Sequence, residues 1–250
     1  LNEAKVELLK CGVMDYSVQT KAIRLPAGWE VGDALVYFAN HAGLGIASKC
    51  HFVLGAQGID KSDGAGKMAR LGSIAEQCLA KVKVPITIVK SSWGTSEGEK
   101  DLFGRPIRAG RDGNPKSGLH IVCCVDGTPT GDAAFDLATS FTREGDTLTA
   151  VHVTGFLIKK TQLCEAKYGP ECAKVCESRK LRACEFVKVP PASGSSISGA
   201  LVEASRECDV LVMGSVELAN IKKRHVLGSV AMGIAKNSDS HMCVVKNFAH

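Results

Sequence analysis

"DVLVMGSVELANIKKRHVLGSVAMGIAKNSDSHMCVVK", residues 209–246, changes its apolar period twice. Asp209 to Gly214 is a short β-rich apolar run, Gly214-Ser215 marks a turn, Val226 to Ala235 has helical spacing, and His241 to Lys246 is again a short apolar run. The reading is strand, glycine loop, helix, strand. Such a loop brings free backbone N–H groups and the positive end of a helix to one point, which is what binding an anion requires. Four basic or potentially basic residues, Lys222, Lys223, Arg224 and His225, lie between the two Gly-Ser pairs.

The same succession occurs earlier in the chain. "FVLGAQG" (52–58) followed by "RLGSIAEQCLAKVKVPITIVK" (70–90) gives strand, glycine turn, Leu-Gly-Ser, helix and a strand ending in Val-Lys. Two copies of one unit are the simplest explanation. Before the first unit, Asn2 to Cys11 and Val31 to Ala42 have helical spacing and Asp15 to Leu25 alternates like a strand; His51 to Ala56, Met68 to Lys81 and Pro85 to Lys90 complete it. Before the second, strands are expected at Leu119 to Asp126, Thr147 to Thr154 and Ala183 to Val189. Helices are expected at Asp132 to Thr142, Leu157 to Arg179 (with a possible break) and Ser195 to Arg206. Residues 91–118 are rich in Gly, Ser and charge and read as a linker. Strands alternating with helices call for an α/β fold with a doubly wound parallel sheet, because parallel neighbours need crossover connections. The expected domains are 1–90, incomplete, and 119–250, complete.

Composition excludes several classes. The 250 residues carry a formal charge of +5, but the basic residues are scattered and aromatics make up only 5%, so no nucleic-acid surface stands out. No apolar run reaches the roughly 18 residues of a membrane span. Most of the 11 cysteines sit within apolar elements as small hydrophobes, which favours a reducing, cytoplasmic setting.

With these elements in place, the chain resembles the universal stress protein family. The residues that carry the likeness are "IVCCVD" (121–126), with Asp126 ending the first strand, "TAVHV" (149–153) in the second, and the two Gly-Ser loops. The resemblance implies two tandem copies of a Rossmann-like five-stranded sheet of order 3-2-1-4-5, the first lacking strand 1, helix 1 and strand 2. It implies ATP or AMP as ligand, with Val125 and Asp126 facing adenine and ribose, Val153 lining the adenine pocket, Met213 and Gly214 at the strand 4 turn, and Gly228, Ser229 and Val230 around the phosphates. In the first copy the corresponding positions are Gly55, Gly58, Gly72 and Ser73. It also implies antiparallel pairing of the two fifth strands, Pro85 to Lys90 and His241 to Lys246, and a first copy whose missing elements precede Leu1 or come from another chain.

The departures from the family pattern bear on function. Where the loop pattern has its second glycine this sequence has Glu217, a carboxylate that would repel phosphate, and the spacing from Gly214 to Gly228 is one residue longer than the pattern. In the first copy thirteen residues, instead of nine, separate Gly58 from Gly72. Two function classes follow: a nucleotide-binding regulatory module, and a non-enzymatic interaction or scaffold protein with degenerate sites and other protein chains as partners. Glu217 and the missing half-site favour the second. "DGAGKM" (63–68) has Lys61 and Met68 where a P-loop needs Gly and Ser or Thr. In "SGSSIS" (193–198), Ser195 or Ser196 reads as a helix N-cap. Cys172 and Cys176, with Cys164 and Cys184 nearby, lack zinc spacing and read as packing or surface thiols. His152 reads as a hydrogen-bonded core histidine. No catalytic or metal residues are assigned.

Overall fold

The computed structural model describes residues 24–41, 51–56, 71–90, 108–109, 115–116, 118–155, 158–191, 196–216 and 227–247. In chain order the elements are α1 (Val31–His41), β1 (Phe52–Gly55), α2 (Ser73–Lys81), β2 (Ile86–Val89), β3 (Arg108–Ala109), β4 (Pro115–Lys116), β5 (His120–Cys124) and α3 (Pro129–Phe141). They continue as β6 (Thr147–Val153), α4 (Ile158–Arg179), β7 (Ala183–Val189), α5 (Ile197–Ala204), β8 (Val210–Val216), α6 (Ser229–Asn237) and β9 (His241–Asn247).

Strands buried on both faces are mainly apolar, and so are the middles of β5 (121–124), β8 (210–213) and β9 (242–245). Their residues alternate between two cores. Val122, Leu211 and Val244 join Leu201 of α5 and Ile234 of α6 on one face, whereas Ile121, Val212 and Cys243 join Phe135 of α3 and Tyr168 of α4 on the other. The sheet is therefore wound on both sides. Its order is β1-β2-β9-β8-β5-β6-β7. Every neighbouring pair is parallel except β2 and β9, which run antiparallel.

The α/β class and mainly parallel sheet agree with the sequence, and the described residues form one seven-stranded sheet. Antiparallel pairing of β2 with β9 makes it continuous. Thr87 lies opposite Cys243, with Ile86 opposite Val244 and Ile88 opposite Met242. Two lysines cross this seam in opposite directions. Lys90 Nζ donates to Ala235 O (2.8 Å) and to Ser238 O at the carboxyl end of α6, and Lys246 Nζ donates to Val82 O (2.6 Å) at the carboxyl end of α2. Each puts a cation where a helix exposes unpaired carbonyls and the negative end of its dipole. Burial lowers the Lys90 ammonium from the usual lysine range, with Asp239 opposing.

Some local expectations change. The strand runs through Gly214 to Val216, so Gly214 is no turn; it pairs with Val245, and a Cβ there would lie 2.7 Å from Thr130 O. Its glycine serves the close approach of α3. That helix starts at Pro129, ahead of the expected Asp132, because Thr128 caps it by accepting from the Gly131 N–H (3.1 Å) and proline suits the first turn. α4 continues unbroken past Pro170. Within the expected linker, β3 and β4 pair antiparallel over two residues each. The expected helix at Asn2 to Cys11 and nearly all of the strand at Asp15 to Leu25 lie outside the described residues; 24–25 are not strand. Among the described residues no helix is long and apolar enough to cross a membrane.

α4 is tied to α3 by a polar triad. Tyr168 Oη and Lys167 Nζ each donate to Asp132, both at 2.6 Å. Burial acts to raise the Asp132 carboxyl, but the hydrogen bonds from Lys167 and Tyr168 outweigh it and hold the group below the usual range.

Two outcomes are expected. Lys90→Met leaves the carbonyls of Ala235 and Ser238 without their donor and should lower the unfolding free energy by about 2–4 kcal/mol, since each buried unpaired acceptor costs roughly 1–3; urea unfolding followed by circular dichroism reads this. Asp132, with its folded pKa depressed, should add stability above the unfolded value of about 4 and lose it as pH falls through the lower folded value. The stability gap between wild type and Asp132→Asn should accordingly be present at pH 7 and close in acid.

Candidate functional site

Among the expected positions, Val125, Asp126, Val153, Met213, Gly214, Gly228, Ser229 and Val230 all line one cavity of about 600 Å3. It opens at the carboxyl ends of β5 and β8. From this pair the chain winds to opposite faces, α3 to one and α6 to the other, so the loops diverge and leave a crevice. Ligands in open α/β sheets bind in such a crevice.

At one wall the "VDGTPTG" turn (125–131) fixes the Asp126 carboxylate. Its Oδ1 accepts from the Thr128 N–H (3.0 Å) and hydroxyl (2.6 Å), and Thr128 in turn caps α3. Gly131 makes room for this arrangement, since a Cβ there would come within 2.6 Å of Asp126 Oδ1. The second oxygen, Oδ2, lies 3.9 Å from Lys160 Nζ, with both side chains about half exposed. A loosely paired, half-exposed carboxylate oxygen can accept hydroxyl donors from a ligand at little desolvation cost.

The opposite wall is the start of α6. Its N-cap is Gly228, which has no side-chain capping bond; the Gly228 N–H donates to Ser215 Oγ (3.3 Å). The following N–H groups of Ser229 and Val230 belong to the first helical turn, which lacks intrahelical acceptors. Between the walls the lining is mainly apolar, with buried Val125, Val151 and Met213 and with Leu201 and Ile197 from α5.

His152 also lines the cavity, but both ring nitrogens are engaged. Nδ1 donates to Val125 O (2.9 Å), and Nε2 is hydrogen-bonded to Thr161 Oγ1 (3.3 Å). It is the core histidine expected from its strand position.

The first-copy positions are arranged differently. Gly55 ends β1, Gly72 caps α2 without a side-chain bond and donates its N–H to Ala56 O (2.8 Å), and Ser73 begins α2. None of the three lines the cavity. Gly58, Glu217, Lys222, Lys223, Arg224 and His225 lie outside the described residues. The sequence reading missed Lys160, Thr161, Ile197, Leu201 and Ser215 as lining residues. A signal existed for the first two, because they open the helix that follows the second strand at the same sheet end as Asp126. Ile197 and Leu201 give none, being indistinguishable from core positions of an amphipathic helix. Among the described residues no group of three or more His, Cys, Asp or Glu side chains could hold a metal ion.

No family model matches the sequence, and no curated protein matches it. Solved structures do. A Pseudomonas aeruginosa UCBPP-PA14 protein provisionally assigned as a universal stress protein aligns at 15% identity over 98% of this chain and 76% of its own, with a TM-score of 0.52. A functionally unknown protein of Pseudomonas aeruginosa PAO1 aligns at 15% identity over the same shares, with a TM-score of 0.51. A universal stress protein solved in complex with cAMP aligns at 21% identity over 52% of this chain and 98% of its own, with a TM-score of 0.36. At these identities the likeness concerns architecture: the chain has a universal-stress-protein-like α/β fold.

Proposed function

We propose that this chain is a non-enzymatic nucleotide-binding module of the universal stress protein type, which takes ATP or AMP in the cavity between β5 and β8. One observation carries the reading: the side-chain-uncapped start of α6 and the available oxygen of Asp126 face the same apolar-lined cavity of about 600 Å3. That size is within the usual range for small-molecule sites. An apolar middle suits a flat base, a carboxylate suits ribose hydroxyls, and a helix N-terminus suits phosphate. Both His152 ring nitrogens have partners within the protein, Val125 O and Thr161 Oγ1, which supports a structural role for that ring.

The sequence alone favoured a scaffold with degenerate sites; the cavity shifts the balance toward the nucleotide reading. We further propose that the chain is a tandem of two related units, 1–90 and 119–250, in a cytoplasmic setting. Support for the tandem comes from the seam. Thr87 and Cys243 occupy equivalent places in the two fifth strands and lie opposite each other, and Lys90 and Lys246 act reciprocally. The same seam favours a structural role for the first unit, which would act as a partner to the second without binding nucleotide itself.

Calorimetric titration of ATP, AMP and cAMP into the full chain tests this. One ligand per chain is expected, with affinity reduced about ten- to a hundredfold by Asp126→Ala, the loss of a hydrogen bond to a charged group. Glu217→Gly, which restores the glycine of the family's loop pattern and removes a negative charge, is expected to tighten ATP binding. No binding of any of the three would return the chain to the scaffold class.

A further inference from the structure

Three side-chain pairs set α4 against β7 in a fixed register. Lys188 Nζ donates to both Glu165 carboxylate oxygens (2.9 and 3.0 Å). Two residues back along β7, Phe186 stacks on Tyr168 with ring centroids 6.4 Å apart. Two residues further back, Cys184 falls opposite Cys172, and the two side chains pack in the same apolar cluster, near enough for each thiol to perturb the other. Residues 165, 168 and 172 form one stripe of a helix, and 188, 186 and 184 form one face of a strand. The two advance at similar pitch, about 5.4 Å per helical turn and about 6.6 Å per two strand residues, so the helix lies antiparallel on the strand and the thiol contact is set by rigid elements.

This pair differs from the other cysteines. Cys123, Cys124 and Cys243 are held in the sheet and Cys208 lies just ahead of β8, and burial raises each thiol well above its ordinary value. Cys172 is buried with its thiol lowered by the hydrogen bond from Cys184, whose own thiol is raised by the same bond. Cys184 is half-buried on β7, the outermost strand of that side of the sheet, so the pair lies at the sheet's edge with Cys184 nearer to solvent than the buried Cys172. Cys176, one turn beyond Cys172, is occupied otherwise, its Sγ donating to Leu181 O at 3.7 Å.

We propose that Cys172 and Cys184 are a reversible redox pair, closing to a disulfide under hydrogen peroxide or a related two-electron oxidant and reopening with a thiol reductant. Cys172 thiolate attacks one peroxide oxygen, the O–O bond breaks, and the departing hydroxide takes up a proton, leaving a sulfenic acid. The Cys184 thiol gives up its proton and attacks that sulfur, the S–O bond breaks, and water leaves. Two thiols lose two electrons and two protons, and one peroxide becomes two waters. The pair sits apart from the cavity and does not depend on what binds there.

The test uses the full chain, reduced, exposed to stoichiometric hydrogen peroxide, alkylated and mapped by mass spectrometry without reduction. A cross-link joining the peptides of Cys172 and Cys184 is expected, forming at least tenfold faster than any other cysteine is oxidised and reversed by dithiothreitol. In Cys184→Ser, Cys172 should persist as a sulfenic acid trapped by dimedone, and Cys176→Ser should leave the cross-link unchanged. A cross-link between Cys176 and Cys184, oxidation of the pair no faster than of the other thiols, or a Cys172 that dimedone does not label in Cys184→Ser would each overturn the proposal. The wild-type map stands even if a variant fails to fold.

Discussion

Parallel strands cannot be joined by tight turns, and the right-handed crossovers they require decide where this chain must leave a gap. After β5 and β6 the chain passes over one face of the sheet, and after β7 and β8 over the other. Where β5 and β8 stand side by side, no connection among the described residues covers the end of the sheet. The cavity is a result of that winding. Its chemistry comes from what happens to stand at the two lips, a carboxylate held by the turn after β5 and a glycine-capped helix after β8.

Both lips depend on glycines with specific steric duties. Gly131 lets Asp126 fold back onto Thr128, which caps α3 and so fixes the carboxylate and the helix together. Gly214 lets the start of α3 approach β8 closely enough for the two walls to share one cavity. At the far end of α6, Lys90, which follows β2, holds the final carbonyls. The helix whose beginning faces the cavity is thus anchored at its other end by the β2–β9 seam.

The alternation of strands and helices was legible because the apolar runs are short, β-rich and separated by glycine or capping residues. Eight cavity-lining positions were named through the family resemblance, whose motifs fall at strand ends and a Gly-Ser pair. Other features were not legible. A glycine inside a strand and a glycine in a turn look alike in sequence, and only the Thr130 carbonyl distinguishes them at position 214. Antiparallel pairing of β2 with β9 was expected from the family resemblance; the exchange of lysines across it was not, since Lys90 and Lys246 read simply as charged strand ends. The Cys172–Cys184 contact was hidden because it joins a helix stripe to a strand face, a relation that spacing along one element cannot show.

Hydrogen–deuterium exchange on the full chain, with and without saturating ATP, tests the central claim most directly. Protection is expected at the backbone N–H groups of Gly228, Ser229 and Val230 together with the turn following Val125, while the first turn of α2 at Ser73 remains unchanged. Protection confined to α2, or none at any of these positions while ATP binds, would contradict a site formed by the β5–β8 crevice.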